Sequence, residues 1–160
     1  MINMDVQIFA GSPNDKEYIY DVAKVLKELN ISYSIKIISA HRNPEKLMEE
    51  VRSSNAKIFI AIAGMSAALP GFIASITRKP VIGLPISGKV PYDSLLSMVQ
   101  LPKGVPVAVV GVDNGKNAAL LAARILALSN NEIDKSLEIY IEKERRKSLE
   151  EGEKLERELI

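Results

Sequence analysis

Between Ile58 and Thr77 the chain carries no charged residue, a stretch about long enough to cross a bilayer as one helix. Its interior argues for another form. Ala63-Gly64-Met65-Ser66-Ala67-Ala68-Leu69-Pro70-Gly71 is rich in turn formers, whereas Ile58-Phe59-Ile60-Ala61-Ile62 is a short apolar run. A run of that length bounded by turn residues reads as a strand buried on both faces, and such strands belong to parallel sheets covered by helices. The segment therefore predicts strand, loop and helix, all enclosed by protein.

The rest of the chain repeats this order. Val6–Phe9, Tyr33–Ile38, Lys57–Ile62, Pro80–Leu84 and Val105–Val112 read as strands. Tyr18, Ile19, Val22, Val25, Leu26 and Leu29 recur at helical spacing, so residues 16–29 predict an amphipathic helix. Asn43 and Pro44 suit the cap and first turn of a second helix, with Leu47, Met48 and Val51 on its buried side. Further helices are expected over 67–77, 92–100, 116–128 and 132–158. Strands alternating with helices give an α/β fold: a three-layer αβα sandwich around a flavodoxin-like parallel sheet, with an extra C-terminal helix. Residues 1–160 read as one domain with a sizeable core.

Composition narrows the function. A net charge of +1 gives no electrostatic case for nucleic acid or an anionic membrane. The absence of cysteine excludes a disulfide framework and thiol chemistry and fits a reducing cytoplasm. With one histidine and no HExxH or Asp-rich loop, no metal site is expected. Met1-Ile2-Asn3-Met4-Asp5 lacks the basic and apolar regions of a secretion signal.

In sheets of this kind ligands bind beyond the carboxyl ends of the strands, so the loops at 10–15, 39–43, 63–71, 85–91 and 112–116 hold the candidates. Gly11-Ser12-Pro13-Asn14-Asp15 offers a hydroxyl and backbone N–H groups at a helix start, suited to a phosphate or to plain capping by Asn14 or Asp15. The second loop supplies Ser39, His41 and Arg42. Arginine binds phosphate through a planar fork, or forms a surface ion pair. His41, the sole histidine, is either a proton carrier near neutral pH or a solvated loop residue. Small residues of the third loop, among them Gly64, Ser66, Ala67 and Ala68 before Leu69, either admit a flat ligand or a neighbouring subunit, or serve tight strand–helix packing.

The helix Asn117–Leu128 is apolar almost all round, which predicts burial on two sides, by another subunit or beneath the last helix. The last helix carries Ile133, Leu137, Tyr140 and Ile141 on one stripe, followed by mostly charged residues with Leu149, Leu155 and Leu159. It is expected to pack at its start and to be solvated, or to reach a partner, beyond.

Taken together, Gly-Ser-x-x-Asp at 11–15, Ser-Ala-His-Arg at 39–42, Ala-Gly-x-x-Ala at 63–67, Leu-Pro-Gly at 69–71, Asp-Ser-Leu-Leu-Ser-x-Val-Gln at 93–100 and Asn-Ala-Ala-Leu-Leu-Ala at 117–122 resemble the PurE family. The resemblance runs to about residue 142. It implies an enzyme of purine biosynthesis that moves a carboxyl group from N5 to C4 of an aminoimidazole ribonucleotide. CO2 is then a transient intermediate, and no metal or organic cofactor is needed. It assigns the 5′-phosphate and ribose to Ser12, Asp15, Ser39 and Arg42, the proton transfers to His41, and the pocket wall to Gly64, Ser66, Ala67, Ala68 and Leu69. It further implies a cytoplasmic homo-oligomer, typically an octamer, with residues 132–160 packing on a neighbouring subunit. One departure stands out: Ala68 occupies the place of a second histidine in the usual bacterial mutase. Ser66-x-Ala68-Leu69 resembles instead the related class that carboxylates aminoimidazole ribonucleotide directly with CO2. Arg42 and Leu101-Pro102-Lys103-Gly104-Val105-Pro106 follow the mutase pattern. A non-catalytic nucleotide-binding assembly and a carboxylase acting on a pyridine nucleotide are the remaining alternatives.

Overall fold

The computed structural model describes residues 4–160; the start of the N-terminal segment read above for a secretion signal lies outside the described residues. In chain order the elements are β1 (Val6–Ala10), a 3-10 turn (Pro13–Asp15), α1 (Lys16–Glu28), β2 (Tyr33–Ile37), α2 (Pro44–Ser53), β3 (Ile58–Ala63), α3 (Ala68–Ile76), β4 (Val81–Pro85), α4 (Pro91–Val99), β5 (Ala108–Val109), α5 (Gly115–Ala127) and α6 (Asn131–Leu159). The five strands form one parallel sheet in the order β2-β1-β3-β4-β5, the flavodoxin-like arrangement. The uncharged stretch resolves into β3, a loop and α3, and among the described residues no helix is long and apolar enough to cross a membrane.

Period-two alternation along the strands builds two cores. Val6, Ile8, Ile58, Ile60, Ile62, Ile82 and Leu84 pack with α1, α5 and the start of α6, while Phe9, Phe59, Ala61, Ala63 and Val81 pack with α2, α3 and Met98 of α4. Phe9 and Phe59 meet edge to face, with ring centres 5.7 Å apart. Burying a large aliphatic or aromatic side chain contributes about 1.5–3 kcal/mol, so these two layers dominate stability.

Three expectations take definite form. The fifth strand is only Ala108–Val109 rather than residues 105–112. It lies at the sheet edge, and Pro102 and Pro106 ahead of it have no N–H to give to a ladder. The 3-10 turn of the first loop is capped by the Ser12 side chain, whereas Asp15 stands at the cap position of α1 and turns its carboxylate back to the Ser12 N–H. The apolar helix α5 is covered within the chain on two sides and not on a third: its buried residues Ala118, Ala119, Ala122 and Ala123 belong to the α1 core, Ile133, Leu137 and Tyr140 of α6 join the same cluster, and Leu120 and Leu121 stay only partly buried. Gly115 sits where any side chain would collide, since a Cβ there would lie 2.9 Å from the Asp21 Cβ and 3.1 Å from the Tyr18 carbonyl oxygen. Beyond residue 145, α6 is exposed and laced by pairs such as Arg146–Glu150 and Lys154–Glu158.

Candidate functional site

The chain turns to opposite sides of β1 when it forms β2 and then β3, which opens a crevice beyond their carboxyl ends. Three loops meet there around a cleft of about 430 Å³. All ten candidate residues, Ser12, Asp15, Ser39, His41, Arg42, Gly64, Ser66, Ala67, Ala68 and Leu69, line it.

The loop after β1 is a reciprocal capping box. Ser12 Oγ accepts the Asn14 N–H at 3.2 Å, and Asp15 Oδ2 accepts the Ser12 N–H at 3.1 Å. The capping and ligand readings of this loop are therefore compatible, because Asp15 keeps a second carboxylate oxygen and Ser12 keeps its hydroxyl hydrogen. Burial pushes the Asp15 carboxyl up, against the opposing effect of the Ser12 N–H.

The loop after β2 stays beside β1 through the Ile38 N–H, which donates to the Ala10 carbonyl at 2.9 Å. Ser39 then folds it back: its carbonyl accepts the Asn43 N–H at 3.0 Å and its hydroxyl oxygen accepts the Arg42 N–H at 3.4 Å. His41 and Arg42 are left exposed at the cleft. The Arg42 guanidinium reaches the Gly11 carbonyl at 3.5 Å, so it spans the first two loops rather than pairing with a surface carboxylate.

The loop after β3 turns at Ser66, a non-glycine residue held at φ +51°. Left-handed backbone is uncommon for such a residue, and two bonds fix it: its N–H donates to the Asp93 carboxylate, and its carbonyl accepts the Ala68 N–H at 2.6 Å. Ala67 and Leu69 are buried, while Ser66 and Ala68 are exposed at the cleft. The small residues divide by cause. Gly71 is packed under Leu101, with 2.8 Å from a built Cβ to Cδ2. Gly64 and Gly11 have neither a positive φ nor any atom within 4 Å of a built Cβ. Among the described residues nothing requires glycine there, and the space is open toward the cleft.

Asp93 carried no role of its own in the sequence reading, although it opens the motif at 93–100. Its signal is an acid in the first turn of α4, next to a loop that must be bonded somewhere. A second tie joins the loops after β4 and β5. Asp113, at φ +59°, accepts the Ser87 N–H at 2.8 Å. Burial works to raise its carboxyl, but Ser87 and the Tyr18 hydroxyl outweigh this and hold it below the ordinary value. Among the described residues no cluster of three or more His, Cys, Asp or Glu side chains forms a metal-binding group.

The comparisons with known proteins agree with this geometry. The family model described as AIR carboxylase matches residues 5–147. A Methanocaldococcus jannaschii protein named N5-carboxyaminoimidazole ribonucleotide mutase is 46% identical over 149 residues, covering 92% of this chain and 95% of its own. A Schizosaccharomyces pombe protein named phosphoribosylaminoimidazole carboxylase is 40% identical over 157 residues, covering 95% of this chain and 28% of its own. The crystal structure of Treponema denticola PurE superposes with a TM-score of 0.84 at 34% identity, covering 94% of this chain and 97% of that one. With its sheet order, its cleft and its sequence all in accord, the chain belongs to the AIR carboxylase, or PurE, family.

Proposed function

We propose that this protein is an N5-carboxyaminoimidazole ribonucleotide mutase of purine biosynthesis, with His41 as its acid and base. The observation that carries the reading is the convergence of three loops on one cleft that holds the sole histidine, a guanidinium and a wall of small residues. Arg42, with the Ser12 and Ser39 hydroxyls, holds the 5′-phosphate, and the second Asp15 oxygen accepts a ribose hydroxyl.

Chemistry then needs two proton transfers. Protonated His41 gives its proton to N5 as the N5–carboxyl bond breaks, which leaves the amine and CO2. The electron-rich C4 attacks CO2 to form the new carbon–carbon bond, and neutral His41 removes the C4 proton. The imidazole ends as it began, so a single group serves both steps. CO2 must stay in place between them. The wall of Gly64, Ala67, Ala68 and Leu69 presents no nucleophile to it and no polar side chain to bind water.

One observation favours a second reading, direct carboxylation of aminoimidazole ribonucleotide by CO2: Ala68, not a histidine, faces the cleft. Purified protein given N5-carboxyaminoimidazole ribonucleotide, or aminoimidazole ribonucleotide with bicarbonate, separates the two. The mutase turns over the first. Turnover of the second alone rejects the mutase in favour of the carboxylase, and turnover of neither rejects both. Arg42→Ala should raise KM with little change in kcat; an unchanged KM rejects the phosphate contact.

The reading also implies a cytoplasmic homo-oligomer, which we take to be an octamer. In its support, Leu120, Leu121 and Arg124 of α5 line a surface cleft of about 340 Å³ with Val110, on the side of α5 not closed by α6.

A further inference from the structure

At the opposite edge of the sheet, α2 and α3 end side by side just before the chain enters β3 and β4. Their ends enclose a second cleft of about 760 Å³, lined in part by Arg52, Ser54, Thr77, Arg78 and Lys79. Three of these residues are cations, and no described residue lining the cleft is acidic. The neighbouring carboxylates are engaged elsewhere. Lys46 holds Glu49 and Glu50, Lys36 also holds Glu50, and Lys57 holds Asp5. The α3 helix has no acidic residue at all. Among the described residues no ion pair or hydrogen bond engages the guanidinium of Arg52 or of Arg78.

Basic groups at helix carboxyl ends often do no more than offset the helix dipoles, so the magnitudes decide. Two helix ends together present about one negative charge. Lys79 by itself meets that: its Nζ donates to the Ser54 carbonyl, just past α2, at 2.7 Å. Two guanidinium groups remain in excess. Hydrogen-bond donors stand ready beside them. Ser54 Oγ accepts the Ala56 N–H at 3.2 Å and Thr77 Oγ1 accepts the Lys79 N–H at 3.1 Å, so each hydroxyl still has its hydrogen to donate. Burial also pushes the Lys79 ammonium below its ordinary value, a change that an anion beside it would reverse.

We infer that this cleft is a second anion site, distinct from the His41 cleft, which takes a dianionic phosphate group on Arg52, Arg78 and Lys79 with the Ser54 and Thr77 hydroxyls. Inorganic phosphate and the phosphate of a nucleotide present the same chemistry to it. The inference does not depend on the reaction assigned to the first cleft.

The test uses the full chain carrying Arg42→Ala, so that the first cleft is weakened. Inorganic phosphate and, separately, AMP are titrated by calorimetry, and hydrogen exchange locates the protected amides. Saturable binding with protection at 51–56 and 75–79 is expected. Adding Arg52→Gln or Arg78→Gln should weaken it about tenfold each. Tighter binding of AMP assigns a nucleotide phosphate to the site, and equal affinities assign free phosphate. Both guanidinium groups are exposed, and circular dichroism of the variants should match the parent. The inference is overturned by absence of saturable binding, by protection confined to 11–15 and 39–43, or by an affinity unmoved in the double variant.

Discussion

Along β3, Ile58, Ile60 and Ile62 turn to one face of the sheet, and Phe59, Ala61 and Ala63 turn to the other. The first face is covered twice, by α1 and α5 and then by α6 over α5, and along β3 its residues stay large to the end. The second face carries α2, α3 and α4, and along β3 its residues shrink from Phe59 to Ala63. That taper points at the carboxyl edge, where Ala67 and the open space at Gly64 continue it into the cleft. The doubly covered face thus spends its apolar surface on stability. The tapering face gives up some packing density to leave a pocket beside His41 and Arg42.

Substitutions should therefore separate into those that cost activity and those that cost stability. The largest effect is expected from His41→Asn. Turnover should fall about a hundred- to ten-thousandfold, while nucleotide binding and the thermal midpoint are kept. A variant that retains full activity rejects the acid–base role. Next is Leu26→Ala under the doubly covered face, where Leu26 is fully buried. It should lose about 2–5 kcal/mol of stability with turnover per folded molecule unchanged, as read from urea unfolding beside a rate assay. A loss of turnover without loss of stability would break the comparison.

Gly115→Ala should cost about 1–3 kcal/mol through overpacking against Tyr18 and Asp21. Gly64→Ala sharpens the contrast. Its native backbone suits alanine, so stability should hold or rise by about 0.4–1 kcal/mol, yet activity should drop because the methyl group enters the cleft. An active, stabilised Gly64→Ala enzyme would show that the open space is not used. The smallest effect concerns pH. Asp113 has a native pKa held below its ordinary 3.8, so its ionised form stabilises the fold above that value. The contribution is lost as pH falls through the lower native value. Asp113→Asn, which tolerates the left-handed backbone, should therefore melt below the parent at neutral pH and converge with it in acid. A gap that widens in acid would refute the assignment.

Much of this was legible in the residues. Runs such as Ile58–Ile62 announce buried parallel strands because only a doubly covered strand can be apolar at every position. His41 and Arg42 were legible because loops at one sheet edge converge whatever their sequence. The extent of β5 was not, since apolar character continues through 105–112 while ladder bonding depends on donors that proline lacks. The partner of α5 was not legible either. An all-round apolar helix demands two covers, but the sequence does not say whether the second is α6 or another chain.

Local chemistry therefore determined the element order, the parallel sheet and the set of residues available at its edge. The tertiary structure alone decided that Ser12 and Asp15 cap one another, that Arg42 spans two loops to the Gly11 carbonyl, and that Asp93 pins Ser66 in a left-handed turn. Each of these is a bond between groups whose local preferences allow several partners. Only the packing of the loops against one another selects which partner is within reach.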